Sequence, residues 1–254
     1  MADGNDLRAK WNQGQATFGL WAGIDSSLTA ELAAAAGYDY VCVDLQHGMS
    51  DERTMVAMFQ AIVGAGSTPL ARLAWNEPWL IMRALDLGAG GVIVPLVGSG
   101  DEARRAVEAC KYPPHGNRSY GPIRAQQVVG SAAPSDLADS VVCFAMVETR
   151  DGLDRLEEIA ATAGLDGIYI GPADLALALG RTPGAGGEAL QEAIACVRDA
   201  CEAHGRIAGM HCDGGDAARA FAEQGFRLIT VGVDSSLLKS TIARELAAAS
   251  AAGA

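Results

Sequence analysis

The chain has 254 residues, half of them apolar, and a formal net charge of −12. This length can bury a full hydrophobic core, and we predict one domain over residues 1–254. The acidic balance argues against a nucleic acid or an anionic membrane as a partner, because both favour a basic surface.

The six cysteines form no C-x-x-C pair and have no metal-type spacing, which is typical of buried thiols in a reducing compartment. The first 15 residues lack the apolar run of a signal peptide. No segment approaches the roughly 18 uninterrupted apolar residues of a membrane span. We therefore expect a cytoplasmic protein.

Segments of strand length alternate with segments of helical spacing along the whole chain. The predicted strands cover residues 16–22, 40–45, 69–74, 91–97, 141–147, 167–170, 206–211 and 228–233. Such strict alternation predicts a parallel sheet in an α/β fold. Eight units, and a length near the roughly 250 residues typical of the fold, predict closure into a (β/α)8 (TIM) barrel. An open doubly wound sheet is the alternative, but no G-x-G-x-x-G follows the first strand.

The segments between the strands have plausible helix starts. Helices are predicted to open at residues 25–27, 50–52 and 99–102, and another covers residues 188–203. Residues 112–140 contain four prolines and are long and polar, so we expect a functional loop at the rim. Residues 181–187 look like a flexible join. The alanine-rich helix at 235–252 packs either on its own barrel or on a neighbouring subunit.

Two carboxylates, Glu148 and Asp174, follow consecutive predicted strands. Strands joined by a crossover helix run parallel, so both acids emerge at one edge of the sheet, where neighbouring strands lie roughly 4.8 Å apart. Hard divalent ions such as Mg²⁺ take oxygen ligands of this kind, with water and substrate at the remaining positions. The alternative is structural, because acids are also favoured at helix starts.

The other strand ends carry polar groups as well. His47 follows the second strand three residues after Asp44, which is close enough for the acid to orient the imidazole of a general base. His211 ends the seventh strand and is a weaker candidate of the same kind. Either histidine has a structural alternative, as a helix-capping or surface residue.

Arg72 lies within an apolar strand, where a buried cation needs an anion. It either pairs with Asp44 or directs its planar donors at a substrate carboxylate or keto oxygen, and the two roles can alternate. Gly171, Pro172 and Ala173 open a helix whose free N–H groups suit an anion. Trp21, at the end of the first strand, either walls the pocket or belongs to the core.

These residues together resemble the metal-dependent (class II) pyruvate aldolases of the 4-hydroxy-2-oxoheptanedioate aldolase family, also called the HpcH/HpaI family. The matching runs are YDYVCVDLQHG at 38–48, ARLAWNEPWLIMRALDLGAGGVIVPLV at 71–97, MVETRDGLDRL at 146–156, GLDGIYIGPADLALALG at 164–180 and LITVGVDSSLL at 228–238. They cover most of the chain in order.

The resemblance implies a (β/α)8 barrel that is often hexameric, with its last helix exchanged between subunits, so a hexamer or a trimer is expected. It assigns the metal ligands to Glu148 and Asp174, the base to His47, the carbonyl-binding arginine to Arg72 and a substrate-binding amide to Ala173. Asp44 and Asp86 match acids that family members use to orient or support the histidine. The ion is expected to be Mg²⁺ or Mn²⁺, with Co²⁺ also possible.

The implied reaction is cleavage of 4-hydroxy-2-oxo acids into pyruvate and an aldehyde through an enolate, together with its reversal. The chain departs from the resemblance at Met146, where many members have glutamine, and at His211, where an apolar residue is expected. Two alternatives stay open. One is a citrate-lyase-like acyl-CoA lyase, for which Arg118 and Arg124 are the only clustered basic residues predicted at the rim. The other is a non-catalytic barrel that binds an oxo acid.

Overall fold

The computed structural model describes residues 3–250, and its framework is a closed sheet of parallel strands. The strands are β1 (Thr17–Ala22), β2 (Tyr40–Asp44), β3 (Thr68–Arg72), β4 (Gly91–Val94), β5 (Val142–Val147), β6 (Gly167–Ile170), β7 (Ile207–His211) and β8 (Leu228–Val233). Each strand pairs with the next, and β8 pairs with β1. The predicted (β/α)8 barrel is confirmed, and the open-sheet alternative is wrong.

Helices surround the sheet and connect the strands. In the described residues they are α1 (Gly4–Asn12), α2 (Ser27–Ala35), α3 (Glu52–Gly64), α4 (Pro78–Asp86), α5 (Gly100–Cys110), α6 (Ala125–Val129), α7 (Pro134–Asp139), α8 (Arg150–Asp154), α9 (Leu156–Ala160), α10 (Pro172–Ala178), α11 (Glu188–Ala203), α12 (Gly215–Glu223) and α13 (Asp234–Ser250). None of the helices within residues 3–250 is both long and apolar enough to cross a membrane.

Three of the helix starts follow from their capping residues. The side chains of Ser26, Asp51 and Ser99 each accept a hydrogen bond from a backbone N–H in the first turn of α2, α3 and α5. These N–H groups have no partner within their helices, so a side-chain oxygen at this position fixes where each helix begins. The predicted starts at these positions are confirmed.

The N-terminal end of the barrel is closed by α1, which the sequence reading did not predict. Leu7 and Trp11 on α1 are buried with Phe144, Tyr169 and other side chains of the barrel interior. The Trp11 ring meets Phe144 edge to face at 5.7 Å, and its Nε1–H donates to Thr17 Oγ1 at 3.0 Å. The barrel is therefore filled and sealed at this end.

Residues 112–140 also lie at the N-terminal end, because they lead from the end of α5 into the start of β5. They contain α6 and α7, and Ser140 O accepts from the N–H of Gly4 in α1. Arg118 pairs with Asp86 at the end of α4 at 2.9 Å, and Arg124 donates to the carbonyl of Leu87. The prediction that residues 112–140 form a functional loop at the rim is therefore wrong for the cavity of the same chain.

The last helix, α13, lies largely off the barrel. Of its 17 residues only Asp234 is buried, while Leu237, Leu238, Ile242 and Leu246 are all more than 40% exposed. Residues 251 and 252 of the predicted helix lie outside the described residues. The helix therefore leaves an apolar stripe uncovered by its own chain.

Candidate active site

A cavity of about 780 Å³ opens at the C-terminal ends of the strands. Trp21, Asp44, His47, Arg72, Gly171, Pro172, Ala173, Asp174 and His211 all line it. Glu148 is buried beside it, against Gly171. The structure thus brings these ten residues to one end of the barrel. The C-terminal end is where barrels of this fold carry their active sites.

Arg72 and Asp44 form a buried ion pair at the floor of the cavity. They are direct partners in the register of β2 and β3, so their side chains leave the sheet on the same face. Arg72 Nε and Nη2 both donate to the Asp44 carboxylate, with Nε at 2.7 Å from Oδ1. Only 6% of Arg72 and 4% of Asp44 is exposed. Arg72 uses Nε and Nη2 for this pair, and Nη1 makes no hydrogen bond within the described residues, so Nη1 is available to a ligand.

The pair also sets the charge of the site. Burial alone would raise the pKa of Asp44, but the hydrogen bonds and positive charge of Arg72, together with the backbone N–H groups of Gln46 and His47, lower it overall. Burial likewise opposes the charge on Arg72, and Asp44 raises its pKa overall. Both groups are therefore ionised at neutral pH. The sequence left open whether Arg72 pairs with Asp44, and the structure shows that it does.

His47 lies in the turn that follows β2, with an exposed side chain. Asp44 Oδ1 accepts hydrogen bonds from the backbone N–H groups of Gln46 and His47, at 3.0 and 3.3 Å. Asp44 therefore orients His47 through the backbone of the turn instead of contacting the imidazole as the sequence predicted. Gly48 is required in this turn, because a Cβ there would lie 2.2 Å from the Asp44 carbonyl oxygen.

Glu148 is held in a setting that leaves one oxygen free. Only 2% of the residue is exposed. Its Oε1 accepts from the backbone N–H of Leu96 at 2.9 Å, whereas Oε2 is buried without a hydrogen-bond partner in the described residues. Burial, reinforced by the negative charge of Asp174, raises the pKa of Glu148 to about 7. Such an orphaned carboxylate oxygen costs free energy unless a cation or a proton meets it.

Asp174 lies in the first turn of α10 and is exposed to the cavity. Its charge is close enough to Glu148 to affect that group's pKa. Gly171 separates the two acids, and a Cβ at this position would lie 2.4 Å from Glu148 Oε2 and 2.6 Å from Met146 Cε. Glycine is therefore needed for the chain to pass so close to the carboxylate.

Glu148 and Asp174 fit a divalent ion by the chemistry of their oxygens. Within residues 3–250 no three His, Cys, Asp or Glu side chains form a ready-made metal cluster. Two carboxylates are nevertheless sufficient for a Mg²⁺-type ion, which usually keeps several water or substrate ligands. The unpaired Glu148 Oε2 is the observation that favours an ion here over a purely structural role.

Trp21 and His211 form the opposite wall. The Trp21 ring stacks on Tyr169 at 5.5 Å, meets His211 edge to face at 5.3 Å and lies 5.2 Å from the Arg72 guanidinium. Burial lowers the pKa of His211 below its ordinary 6.5, and the nearby Asp213 only partly offsets this. His211 is therefore a neutral imidazole at neutral pH.

The start of α10 borders the cavity through Gly171, Pro172 and Ala173. Proline has no N–H to lose at this first position, and the Ala173 N–H has no partner within the helix. This amide is therefore a potential donor to an anionic group. The placement agrees with the expectation that this turn faces the substrate.

Two groups of the site were missed in the sequence. Leu96 has a left-handed backbone, with φ of 56°, which turns its N–H toward Glu148. A leucine gives no signal of this conformation, which is unfavourable for a residue with a Cβ. Asp234 accepts from the N–H groups of Gly23 and Ile24 and so fixes the turn after β1. The sequence did offer one sign of this role, because Asp234 is an acid that directly follows β8.

Asp86 does not reach His47 within one chain. It is the last residue of α4, at the N-terminal end of the barrel, and it pairs with Arg118. The prediction that Asp86 supports His47 is therefore wrong for the site of a single chain. Arg118 and Arg124 are likewise remote from the cavity of the same chain.

Comparison with known proteins supplies independent information. A family model described as HpcH/HpaI aldolase/citrate lyase matches residues 17–241. A hydroxypyruvate/pyruvate aldolase of Rhizorhabdus wittichii is 38% identical over 96% of this chain and 98% of its own length. A 4-hydroxy-2-oxo-heptane-1,7-dioate aldolase of Shigella sonnei is 35% identical over 92% and 90%. A crystal structure of a family protein from Burkholderia cenocepacia has a TM-score of 0.89 at 33% identity, covering 97% and 98%.

Proposed function

The chain belongs to the HpcH/HpaI aldolase/citrate lyase family, and we propose that it is a carbon–carbon lyase that cleaves 4-hydroxy-2-oxo acids into pyruvate and an aldehyde. The reverse aldol addition follows by microscopic reversibility. The observation that carries the assignment of the site is the buried, unpartnered Glu148 Oε2 beside Asp174, next to a cavity that Arg72 and His47 also line.

We assign Glu148 and Asp174 as the ligands of a divalent ion, Mg²⁺ or Mn²⁺, with Co²⁺ as a further candidate. When bound, the ion supplies Lewis-acid stabilisation of the enolate charge that develops as the carbon–carbon bond breaks. Glu148 favours a cation because its burial disfavours the free carboxylate, and the ion replaces the missing hydrogen bond.

Arg72 directs its remaining donors at the oxygen that becomes negatively charged. A preorganised cation in a buried site stabilises such charge without reorganisation at the moment of reaction. Asp44 is a positioning residue: it holds the guanidinium in a fixed plane and, through backbone amides, holds the His47 turn. The Ala173 N–H adds a donor for the pyruvate carboxylate.

His47 removes the proton from the 4-hydroxyl group in cleavage and returns it in the addition. Its exposed position on the cavity lining supports this role, because the side chain is accessible to the hydroxyl group of a bound substrate. Trp21 and His211 form a wall that limits the width of the pyruvate site.

A Schiff-base mechanism would require a lysine amine in the cavity. The three lysines are Lys10, Lys111 and Lys239. Lys10 pairs with Asp39, Lys111 donates to the carbonyl of Ala138, and no lysine lines the cavity in the described residues. Borohydride with pyruvate is therefore expected to leave the protein unmodified, and a trapped adduct would reject the proposed mechanism.

An acyl-CoA lyase would need basic residues near the cavity to bind the CoA phosphates, and residues 3–250 of this chain do not provide them there. Arg118 and Arg124, the residues that would meet the CoA phosphates, bind Asp86 and a carbonyl at the other end of the same barrel. The non-catalytic alternative is tested directly. Calorimetry with pyruvate reports binding, and a lactate-dehydrogenase-coupled assay of 4-hydroxy-2-oxo acid cleavage reports turnover. EDTA is expected to abolish cleavage and Mn²⁺ to restore it, whereas binding without any turnover would favour the non-catalytic barrel.

We further propose that the protein is a homo-oligomer, a hexamer or a trimer, in which α13 packs on a neighbouring subunit. The exposed stripe of Leu238, Ile242 and Leu246 recurs every four residues and so lies on one face of the helix. Sedimentation of the full chain tests this. Ile242→Asp is expected to shift the protein toward monomer, whereas the matched change Arg244→Asp, at a residue paired only with its neighbour Glu245, leaves the assembly unchanged.

A further inference from the structure

The cavity is larger than pyruvate requires, and part of its lining is a group of apolar side chains. Its volume of about 780 Å³ is at the upper range of pockets for drug-sized ligands, whereas pyruvate has six heavy atoms. This group is Leu190, Ile194, Met210, Cys212 and Phe221. We define these five residues as the α11–α12 lobe.

The position of the lobe follows from the alternation of β7. Ile207 and His211 face the barrel interior, where Ile207 packs among the interior side chains and His211 contacts Trp21. Met210 and Cys212 therefore point outward, toward the helices. There α11 and α12 scarcely touch each other, and their side chains Ile194 and Phe221 line the space between them. The lobe is thus continuous with the pyruvate site across the end of β7.

The charges around the cavity disfavour an acidic aldehyde. Within the described residues, Arg72 is the only lysine or arginine that lines the cavity, and Asp44 already holds it. Asp44, Asp174 and Asp213 are lining carboxylates. A carboxylate on the aldehyde would be repelled by these acids, and the described part of the same protein chain offers it no free cation. A hydrocarbon chain would instead contact the apolar side chains of the lobe.

Resting on the proposed function, we propose that the preferred aldehyde is uncharged and carries an apolar chain of about four to six carbons, which binds in the α11–α12 lobe. In the addition, the methyl carbon of pyruvate bonds to the aldehyde carbon. The methyl group loses one proton and the aldehyde oxygen gains one, so the step needs no oxidant or reductant. Ile194 and Phe221 determine specificity by setting the depth of the lobe.

The test compares propanal, hexanal and 4-oxobutanoate as acceptors for pyruvate, with Mn²⁺ present and products identified by mass spectrometry. Burial of each methylene is expected to raise kcat/KM about twofold to fourfold, so the three additional methylenes of hexanal should raise it roughly 8-fold to 64-fold over propanal. 4-Oxobutanoate is expected to react more slowly than propanal. A preference for 4-oxobutanoate, or equal rates with propanal and hexanal, would overturn the proposal.

A substitution that fills the lobe tests where the aldehyde chain binds, and the same substitution on the exposed side of the helix is its control. Ile194→Trp is expected to bring the hexanal to propanal ratio close to one while propanal still reacts. Cys196→Trp, on the exposed side of the same helix, should leave the ratio unchanged. An unchanged ratio in Ile194→Trp would refute the location of the chain. If that variant fails to fold, Phe221→Ala provides the second measurement, and an unchanged hexanal preference refutes the same claim.

Deuterium exchange at the pyruvate methyl group separates this inference from the proposed function. Exchange observed by NMR without any aldehyde reports enolate formation alone. If exchange fails, the proposed function fails. If exchange occurs but chain length has no effect on the aldol addition, only the apolar lobe is rejected.

Discussion

The buried carboxylate of Glu148 makes a prediction about the stability of the metal-free protein. Its pKa lies at about 7 in the folded chain, mainly because of burial, against an ordinary value of 4.5. One pKa unit corresponds to about 1.4 kcal/mol, so the shift amounts to roughly 3 kcal/mol. Because the folded pKa is the higher one, folding favours the protonated acid. The stabilisation is complete below pH 4.5 and is lost as the pH rises to about 7.

Urea unfolding in EDTA, followed from pH 5 to pH 8, measures this loss. We expect the free energy of unfolding of the wild type to fall by roughly 2 to 3 kcal/mol more than that of Glu148→Gln, which cannot ionise. Glu31→Gln, at an exposed surface position, should keep the wild-type slope. Mn²⁺ at pH 8 is expected to stabilise the wild type and not Glu148→Gln. Parallel pH profiles for the wild type and Glu148→Gln would refute the assignment of a desolvated acid.

Three further changes test the remaining parts of the site. Arg72→Lys keeps the charge but loses the fork to Asp44, so we expect kcat/KM for cleavage to fall about 10²- to 10³-fold, and unchanged kinetics would contradict the role of the guanidinium. His47→Asn should lower kcat about 10²- to 10⁴-fold with pyruvate binding by calorimetry and Tm preserved, because the side chain is exposed. Gly171→Ala places a methyl group 2.4 Å from the Glu148 carboxylate and should weaken Mn²⁺ binding in calorimetry at least tenfold, whereas Gly64→Ala, with open space around it, should not.

The architecture was readable from the sequence because its signals are local. Each strand is an apolar run, and the side chains of Ser26, Asp51 and Ser99 mark helix starts by satisfying backbone N–H groups. Parallel pairing then brings Glu148 and Asp174 to one end of the barrel without further information. This part of the site follows from topology alone.

Other parts of the site depend on contacts that no local pattern reveals. Leu96 has a left-handed backbone and donates its N–H to Glu148, and a leucine in the sequence gives no sign of that conformation. α1 is polar apart from Leu7 and Trp11, so its hydrophobic pattern was too sparse to predict a helix that closes the barrel. The polar composition of residues 112–140 suggested a catalytic loop, but the direction of the chain from α5 to β5 places it at the opposite end.

The closure of the barrel by α1 has a kinetic consequence. Because Leu7 and Trp11 seal the N-terminal end, substrates and products use the C-terminal end of the barrel, where His47 and Asp213 are exposed. Arg72, assigned to the pyruvate oxygen, and Glu148, assigned to the ion, are both buried. A single opening to the site makes binding and release ordered. In cleavage the aldehyde leaves first and pyruvate last, and in synthesis pyruvate binds before the aldehyde. Product-inhibition patterns should therefore be those of an ordered enzyme, with pyruvate competitive against the hydroxy-oxo acid and the aldehyde noncompetitive.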